Sequence, residues 1–278
     1  MRDVIVNVDD LGLHPAVTRA VHRLSSLGTV NSASVMANGP YVSDALSLCG
    51  QVYLGAHLNI LRGKPLSPIS KVPTLVNSQG YFFGDYSTLF LKCILGQVSL
   101  AEVELEWRAQ IEMLISMGIS IAHLDSEKHT HVWPMLTPLI CRLAEEYHIP
   151  RIRYPYEPQR GLPSHFGHAR AAILRYFSQK MILNCPKETY LPFSWGLVDQ
   201  SDRLSPEVFL AYLESLPDAT PVEIICHPGF SLPKDEPIGP EFGQLRVYTM
   251  WQPEFNLLSS KAWQEVFLGV HVRLKAVE

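Results

Sequence analysis

A repeating rhythm constrains this chain more than any other feature. Short apolar runs, several of which end in Asp or His, alternate with segments that carry apolar residues at helical spacing. The run from Asp3 to Val8 ends at Asp9 and Asp10. The segment from about His14 to Leu27, with Val17, Val21 and Leu24 on one stripe, stops at Gly28. A second run spans Ser32 to Ala37. Pro40 follows where a helix can begin, with Val42, Ala45, Leu46 and Cys49 on its apolar side, and Val52 to Leu58 forms a third run. Short connections in a βαβαβ order predict parallel strands.

The stretch 62–95 interrupts this order with Pro65, Pro68, Pro73, Gly80, Gly84 and the aromatics Tyr81, Phe82, Phe83, Tyr86 and Phe90. An irregular insertion of this length reads as a functional loop or lid, or as a surface excursion with its own small core. The rhythm then resumes. Helices are expected at Leu100–Met117 (stripe Val103, Trp107, Ile111, Leu114), Trp133–His148, His165–Leu183, Pro206–Leu216 (capped by Ser205) and Ser260–Phe267. Strands are expected at Ile119–Asp125, Arg151–Tyr154, Val222–Cys226 and Val270–Leu274. No linker or internal repeat divides the chain. We therefore expect an α/β protein in which 1–278 is a single (β/α)-barrel domain of about seven or eight strands.

Composition narrows the function classes. A net charge of −4 gives no electrostatic case for nucleic acid or an anionic membrane. No stretch approaches a transmembrane span, and the N-terminus lacks the apolar run of a secretion signal. The cysteines Cys49, Cys93, Cys141, Cys185 and Cys226 are odd in number and scattered, which reads as free thiols in a reducing cytoplasm.

Parallel α/β folds place their chemistry at the C-terminal ends of the strands. Asp9, Asp10, His57, His123, Asp125 and His227 all stand at such ends. The sharpest local signal is His123-Leu124-Asp125-Ser126-Glu127-Lys128-His129-Thr130-His131. In an extended chain His123, Asp125, Glu127, His129 and His131 would line one face. Imidazoles and carboxylates are the usual ligands of zinc and related divalent ions. Of the adjacent Asp9 and Asp10, one could bind metal and the other serve as general base, or Asp10 could cap the following helix.

Taken together, these segments resemble the YdjC-like carbohydrate deacetylase family, which includes chitooligosaccharide deacetylases and a hopanoid-biosynthesis branch. The resemblance rests on Asn7-Val8-Asp9-Asp10-Leu11-Gly12-Leu13, Met36-Ala37-Asn38-Gly39-Pro40, Gly55-Ala56-His57-Leu58-Asn59, Gly63-Lys64-Pro65-Leu66, His123-Leu124-Asp125-Ser126, His129-Thr130-His131 and Cys226-His227-Pro228-Gly229. It implies a distorted (β/α) barrel, removal of an N-acetyl group from an amino sugar, and a divalent ion held by an Asp and two His. It also makes a homodimer plausible. Carried over, Asp10 and His57 are metal ligands and Asp9 is the general base. The usual second metal His follows the Ser, and here that position is Glu127. The ion is expected to be Mg²⁺ or Zn²⁺, with Mn²⁺ a further candidate: either Glu127 binds it as a carboxylate, which favours harder ions such as Mg²⁺ or Mn²⁺, or His129 substitutes, or the site binds metal poorly.

The expected reaction is hydrolysis of an acetylated sugar's amide. Asp9 takes the water proton, and His227 or His131 protonates the leaving nitrogen. Insertion aromatics and Trp195 are candidates for stacking on sugar rings. The rival readings are a metallo-phosphoesterase on a similar barrel, a sugar-binding pseudoenzyme with a degraded metal site, and a glycoside hydrolase using Asp9 with Asp125.

Overall fold

The computed structural model describes residues 2–157, 167–185, 193–196, 205–218, 220–243, 247–268 and 272–274. Seven strands lie among them: β1 Arg2–Leu11, β2 Ser32–Val35, β3 Tyr53–Leu58, β4 Ile121–Ser126, β5 Phe193–Trp195, β6 Val222–Cys226 and β7 Val272–Leu274. The helices are α1 Pro15–Ser26, α2 Tyr86–Ile94, α3 Leu100–Ser116, α4 Thr137–Glu146, α5 Gly167–Met181, α6 Pro206–Ser215, α7 Val247–Leu258 and α8 Lys261–Leu268.

All strand pairings in the sheet are parallel, in the order β4-β3-β2-β1-β6-β5. The seventh strand, β7, pairs with β1 at Arg2, Asp3 and Val4, before the register with β2 begins at Asn7. The stretch expected as a strand at Arg151–Tyr154 forms isolated parallel bridges instead. Ile152 bridges to Leu124 of β4 and Tyr154 to Phe193 of β5, so this segment lies between the two ends of the strand path.

Alternation along the strands decides what lies on each side. Val4, Val6 and Val8 of β1 are fully buried apolar residues of the core. The alternate residues Asn7 and Asp9 join a polar group with Ser34, Asp125 and Arg153, all buried. Gly55 is required here, because a Cβ on it would overlap the His123 ring. The helices follow their stripes. Val103, Trp107, Ile111 and Leu114 of α3 are fully buried, and α6 opens with the Ser205 side chain accepting from Val208 N at 3.2 Å, as its Ser-Pro start predicts.

Several boundaries differ from expectation. The segment after Pro40 is a 3-10 turn, Val42–Leu48, rather than an α-helix. Helix α4 starts at Thr137, four residues past Trp133, with Pro134 before it and Pro138 in its first turn. The expected starts of α5 (165–166) and of the last strand (270–271) lie outside the described residues. The insertion carries α2 and a short 3-10 turn at Ile69–Lys71, and its Val72, Leu75, Phe82 and Leu89 belong to the main core.

The reading of five free thiols is corrected. Cys141 of α4 and Cys185, just beyond α5, are paired in a disulfide, and Cys49, Cys93 and Cys226 are free. A separation of 44 residues gives no sequence signal for this pair. Helix packing brings their Cα atoms to 5.3 Å.

Candidate functional site

The site forms where β1, β3, β4 and β6 end. Asp10 follows Asp9 on β1, and in an extended strand the two side chains would point oppositely. Asp10 instead has φ of 64°, and the β1–β2 register shifts between Val8 and Leu11. This left-handed residue turns the chain at the strand end and brings Asp10 to His57 while Asp9 stays with the interior network.

His57, at the end of β3, is 2% exposed and meets three carboxylates with its two nitrogens. Its Nδ1 donates to Asp125 Oδ1 at 2.6 Å. Its Nε2 faces Glu127 Oε2 at 3.4 Å and Asp10 Oδ1 at 3.6 Å. Burial opposes a charged ring here, yet the Asp125 carboxylate raises the His57 pKa well above its usual value. Burial and the nearby Glu127 carboxylate push Asp10 up to about 7. Glu127 is held below the usual carboxylate range against its burial, by His57, Lys128 and Arg62.

Two groups among the described residues have donor atoms close enough to hold one cation: Asp10–His57–Glu127 and Asp9–His57–Asp125, each with ligand atoms within 4.8 Å of one another. The second is already bonded internally. Arg153 takes both Asp9 oxygens, at 2.7 and 2.6 Å, and also reaches Asp125 and Glu223 at 2.9 Å. The first fits a divalent ion. It joins two buried carboxylates to an imidazole nitrogen that lies 3.4 and 3.6 Å from their oxygens, and burial together with the Glu127 charge raises the Asp10 pKa, a cost that a cation would offset.

Asp9 is ionised. Burial alone would raise its pKa, but the Arg153 guanidinium lowers it. His227, directly after β6, places Nε2 at 3.8 Å from Asp9 Oδ2, and burial lowers its pKa to about 4. Its backbone N–H donates to Glu254 of α7 at 2.5 Å.

The alternation expected through His131 holds as far as Glu127. Residues Glu127–Val132 then form a 3-10 turn in which Lys128 and His129 have φ of 54° and 56°. His129 consequently joins neither cation group among the described residues. His131 is fully buried with both ring nitrogens engaged, by Ser126 Oγ at 2.7 Å and the Arg153 carbonyl at 3.0 Å. His123 lies deeper, between Ser34 and Arg151. Trp195 is not a stacking platform. It is 4% exposed and packs on Phe209, Tyr212 and Trp263. Tyr86 and Phe90 of the insertion pack on Trp133.

Sequence reasoning missed Arg62 and Arg153. Arg153 binds carboxylates on three strands, and Arg62 Nε donates to Glu127 Oε1 at 2.8 Å. What marks both residues is the burial of an arginine, and the sequence does not display it.

A strand-end cluster of buried carboxylates and imidazole on a parallel α/β sheet has the donor set of a metallohydrolase. The chain belongs to the YdjC-like protein family, whose model matches residues 3–268. It is 37% identical over 150 residues to a carbohydrate deacetylase of Halalkalibacterium halodurans, covering 53% of this chain and 62% of that protein. It is 28% identical over 233 residues to a carbohydrate deacetylase of Thermoanaerobacter pseudethanolicus, covering 83% of this chain and 82% of the relative. Among solved structures it resembles an Enterococcus faecalis V583 protein provisionally described as a cellobiose-phosphate cleavage protein. The TM-score is 0.72 at 25% identity, over 99% of this chain and 97% of that one. No helix among the described residues is long and apolar enough to cross a membrane.

Proposed function

We propose that this chain is a metal-dependent carbohydrate deacetylase that releases acetate from an N-acetylated amino sugar or oligosaccharide. One single-domain barrel, completed through the 151–154 segment, would support the site. The observation that carries this reading is the buried Asp10–His57–Glu127 group set beside an ionised Asp9, in a chain whose relatives are named carbohydrate deacetylases.

Asp10, His57 and Glu127 are the ligands in this reading, and two carboxylates favour Mg²⁺ or Mn²⁺ over Zn²⁺. A bound divalent ion would polarise the acetamide carbonyl and make water more acidic. The chain's own groups handle the protons. Asp9 Oδ2, kept ionised and oriented by Arg153, accepts a proton from the attacking water as oxygen bonds to the carbonyl carbon. His227 Nε2, 3.8 Å from that oxygen and neutral at the start, takes this proton over from Asp9 and passes it to the nitrogen as the C–N bond breaks, so that both groups end as they began. The products are acetate and a free amino sugar. His131, with both nitrogens occupied, is assigned a supporting role.

The test is acetate release from N-acetylglucosamine oligomers with added Mg²⁺, Mn²⁺ or Zn²⁺, with Asp10→Ala and His57→Ala abolishing it. Absence of release from every acetylated amino sugar tried, together with no bound metal, would overturn the reading.

A further inference from the structure

The insertion begins with a residue that its proline, glycine and aromatic content does not advertise. Arg62 is 9% exposed, and its side chain is spoken for at two points. Nε donates to Glu127 Oε1 at 2.8 Å, and Nη1 donates to the Phe242 carbonyl at 2.7 Å. The surroundings are built for this pose. Asn59 Oδ1 accepts from the Leu61 and Arg62 amides at 2.8 and 3.1 Å, and Asn59 Nδ2 donates to the Arg62 carbonyl at 2.8 Å. Asn38 Nδ2 grips the same carbonyl at 2.9 Å. Asn59 is tied in turn to α3, its amide donating to Gln110 Oε1 at 2.8 Å.

Two glycines leave room for the guanidinium and its anchor. A Cβ on Gly243 would sit 3.0 Å from Arg62 Nη1, and one on Gly63 would sit 2.9 Å from the Phe242 ring. Both glycines also have left-handed φ, 72° and 73°. Holding an arginine this firmly costs side-chain freedom, which the bonds to Glu127 and the Phe242 carbonyl offset.

The two oxygens of Glu127 are thereby divided. Oε1 is occupied by Arg62, while Oε2 faces His57 Nε2, the nitrogen that also faces Asp10 Oδ1. Charge is divided as well. Asp10 and Glu127 present two negative charges to an incoming ion, and Arg62 offsets one of them at hydrogen-bond distance.

We propose that Arg62 is a positioning residue that sets the cation affinity of this site, holding Glu127 with Oε2 toward His57 and cancelling one of the two carboxylate charges. This rests on the reading of Asp10, His57 and Glu127 as metal ligands. Asp10, Glu127 and Arg62 together then carry one net negative charge when His57 is neutral, which holds a divalent ion less tightly than the carboxylate count suggests. A unit charge several ångströms from a dication changes affinity by about tenfold even with waterlike screening, which outweighs the looser hold on Glu127 when Arg62 is lost.

The test is calorimetric titration of the metal-stripped, full-length protein with Mn²⁺ and Mg²⁺ alone. Arg62→Gln is expected to bind Mn²⁺ about tenfold more tightly than the parent, and Arg62→Lys, which keeps the charge, within about threefold of it. An arginine that served only to hold the fold would give the opposite sign, with weaker binding in both variants. If Arg62→Gln does not fold because buried Glu127 loses its guanidinium partner, the comparison moves to Glu127→Gln against the Arg62→Gln/Glu127→Gln double variant. There the double variant should bind about tenfold more tightly than the single one. Unchanged or weaker binding on removal of Arg62 in the comparison made overturns the proposal and leaves the metal reading intact. A parent protein that binds neither ion overturns the metal reading itself.

Discussion

His57 Nδ1 and Asp125 Oδ1 are 2.6 Å apart, and this one contact decides which imidazole nitrogen is available for chemistry. The carboxylate accepts the Nδ1 proton, so Nε2 is the nitrogen turned toward Asp10 and Glu127. Carboxylates behind a ligating imidazole fix its tautomer and raise its basicity.

Asp125→Asn is therefore expected to weaken divalent cation binding by about 10- to 100-fold without removing a ligand. Calorimetric titration with Mn²⁺ reads this directly. The amide can still occupy the space, but it presents no charge to His57 and can offer its Nδ2 protons where an acceptor is needed. An affinity within twofold of the parent would show that Asp125 serves Arg153 rather than His57.

Asp9 and Asp10 should separate cleanly by assay. Asp9 has both oxygens on Arg153 and lies 3.8 Å from His227, whereas Asp10 faces His57. Asp9→Asn is expected to lower kcat by about 10²- to 10⁴-fold while leaving metal affinity within a few-fold of the parent. A matching loss of metal binding would move Asp9 into the ligand set.

The placement of these residues at strand ends, though not their separate roles, was legible in the sequence, for a physical reason. Strand ends are marked locally, by an apolar run giving way to a polar residue, so the letters alone place Asp9, Asp10, His57, Asp125 and His227 on one face. Two kinds of information are not local. Lys128 and His129 adopt left-handed φ, which breaks an alternation that continues unchanged in the letters and removes His129 from the cation groups. Long-range pairings are equally silent. Arg153 meets Asp9 across 144 residues, Arg62 meets Glu127 across 65, and Cys141 meets Cys185 across 44. Trp195 was misread for a third reason. Composition alone does not separate Trp195, packed against Trp263, from a ring waiting for a sugar.

Glu254 gives a pH dependence whose sign is fixed by burial. It is 1% exposed, one oxygen accepts from His227 N, and burial pushes its pKa from 4.5 up to about 7. Below about pH 4.5 the carboxyl is protonated in both folded and unfolded chains. Between 4.5 and 7 the unfolded chain ionises first, so folding loses stability as pH rises, by about 3 kcal/mol across the window, and the loss is complete above pH 7. Glu254→Gln keeps a carbonyl acceptor for His227 and removes the ionisation. Urea unfolding at pH 5 and pH 8 should show the variant gaining on the parent at the higher pH. An equal difference at both values would mean that Glu254 does not ionise in that range.

His131 supplies the sharpest contrast between packing and catalysis, because its neighbours leave it no free nitrogen. Ser126 Oγ sits 2.7 Å from Nδ1 and the Arg153 carbonyl 3.0 Å from Nε2, and burial lowers its pKa to about 4, so the ring is neutral near pH 7. A proton donor to substrate needs an N–H pointed at the substrate, and here each nitrogen points at protein. His131→Ala should destabilise the fold by about 2–4 kcal/mol, since it opens a cavity and strands the Arg153 carbonyl on the segment that places the guanidinium against Asp9. His131→Gln can restore part of that bonding, and its kcat per folded molecule should stay within about tenfold of the parent, while His227→Gln falls by about 100-fold or more. A stable His131→Gln protein with activity as low as the His227 variant would return His131 to the proton pathway.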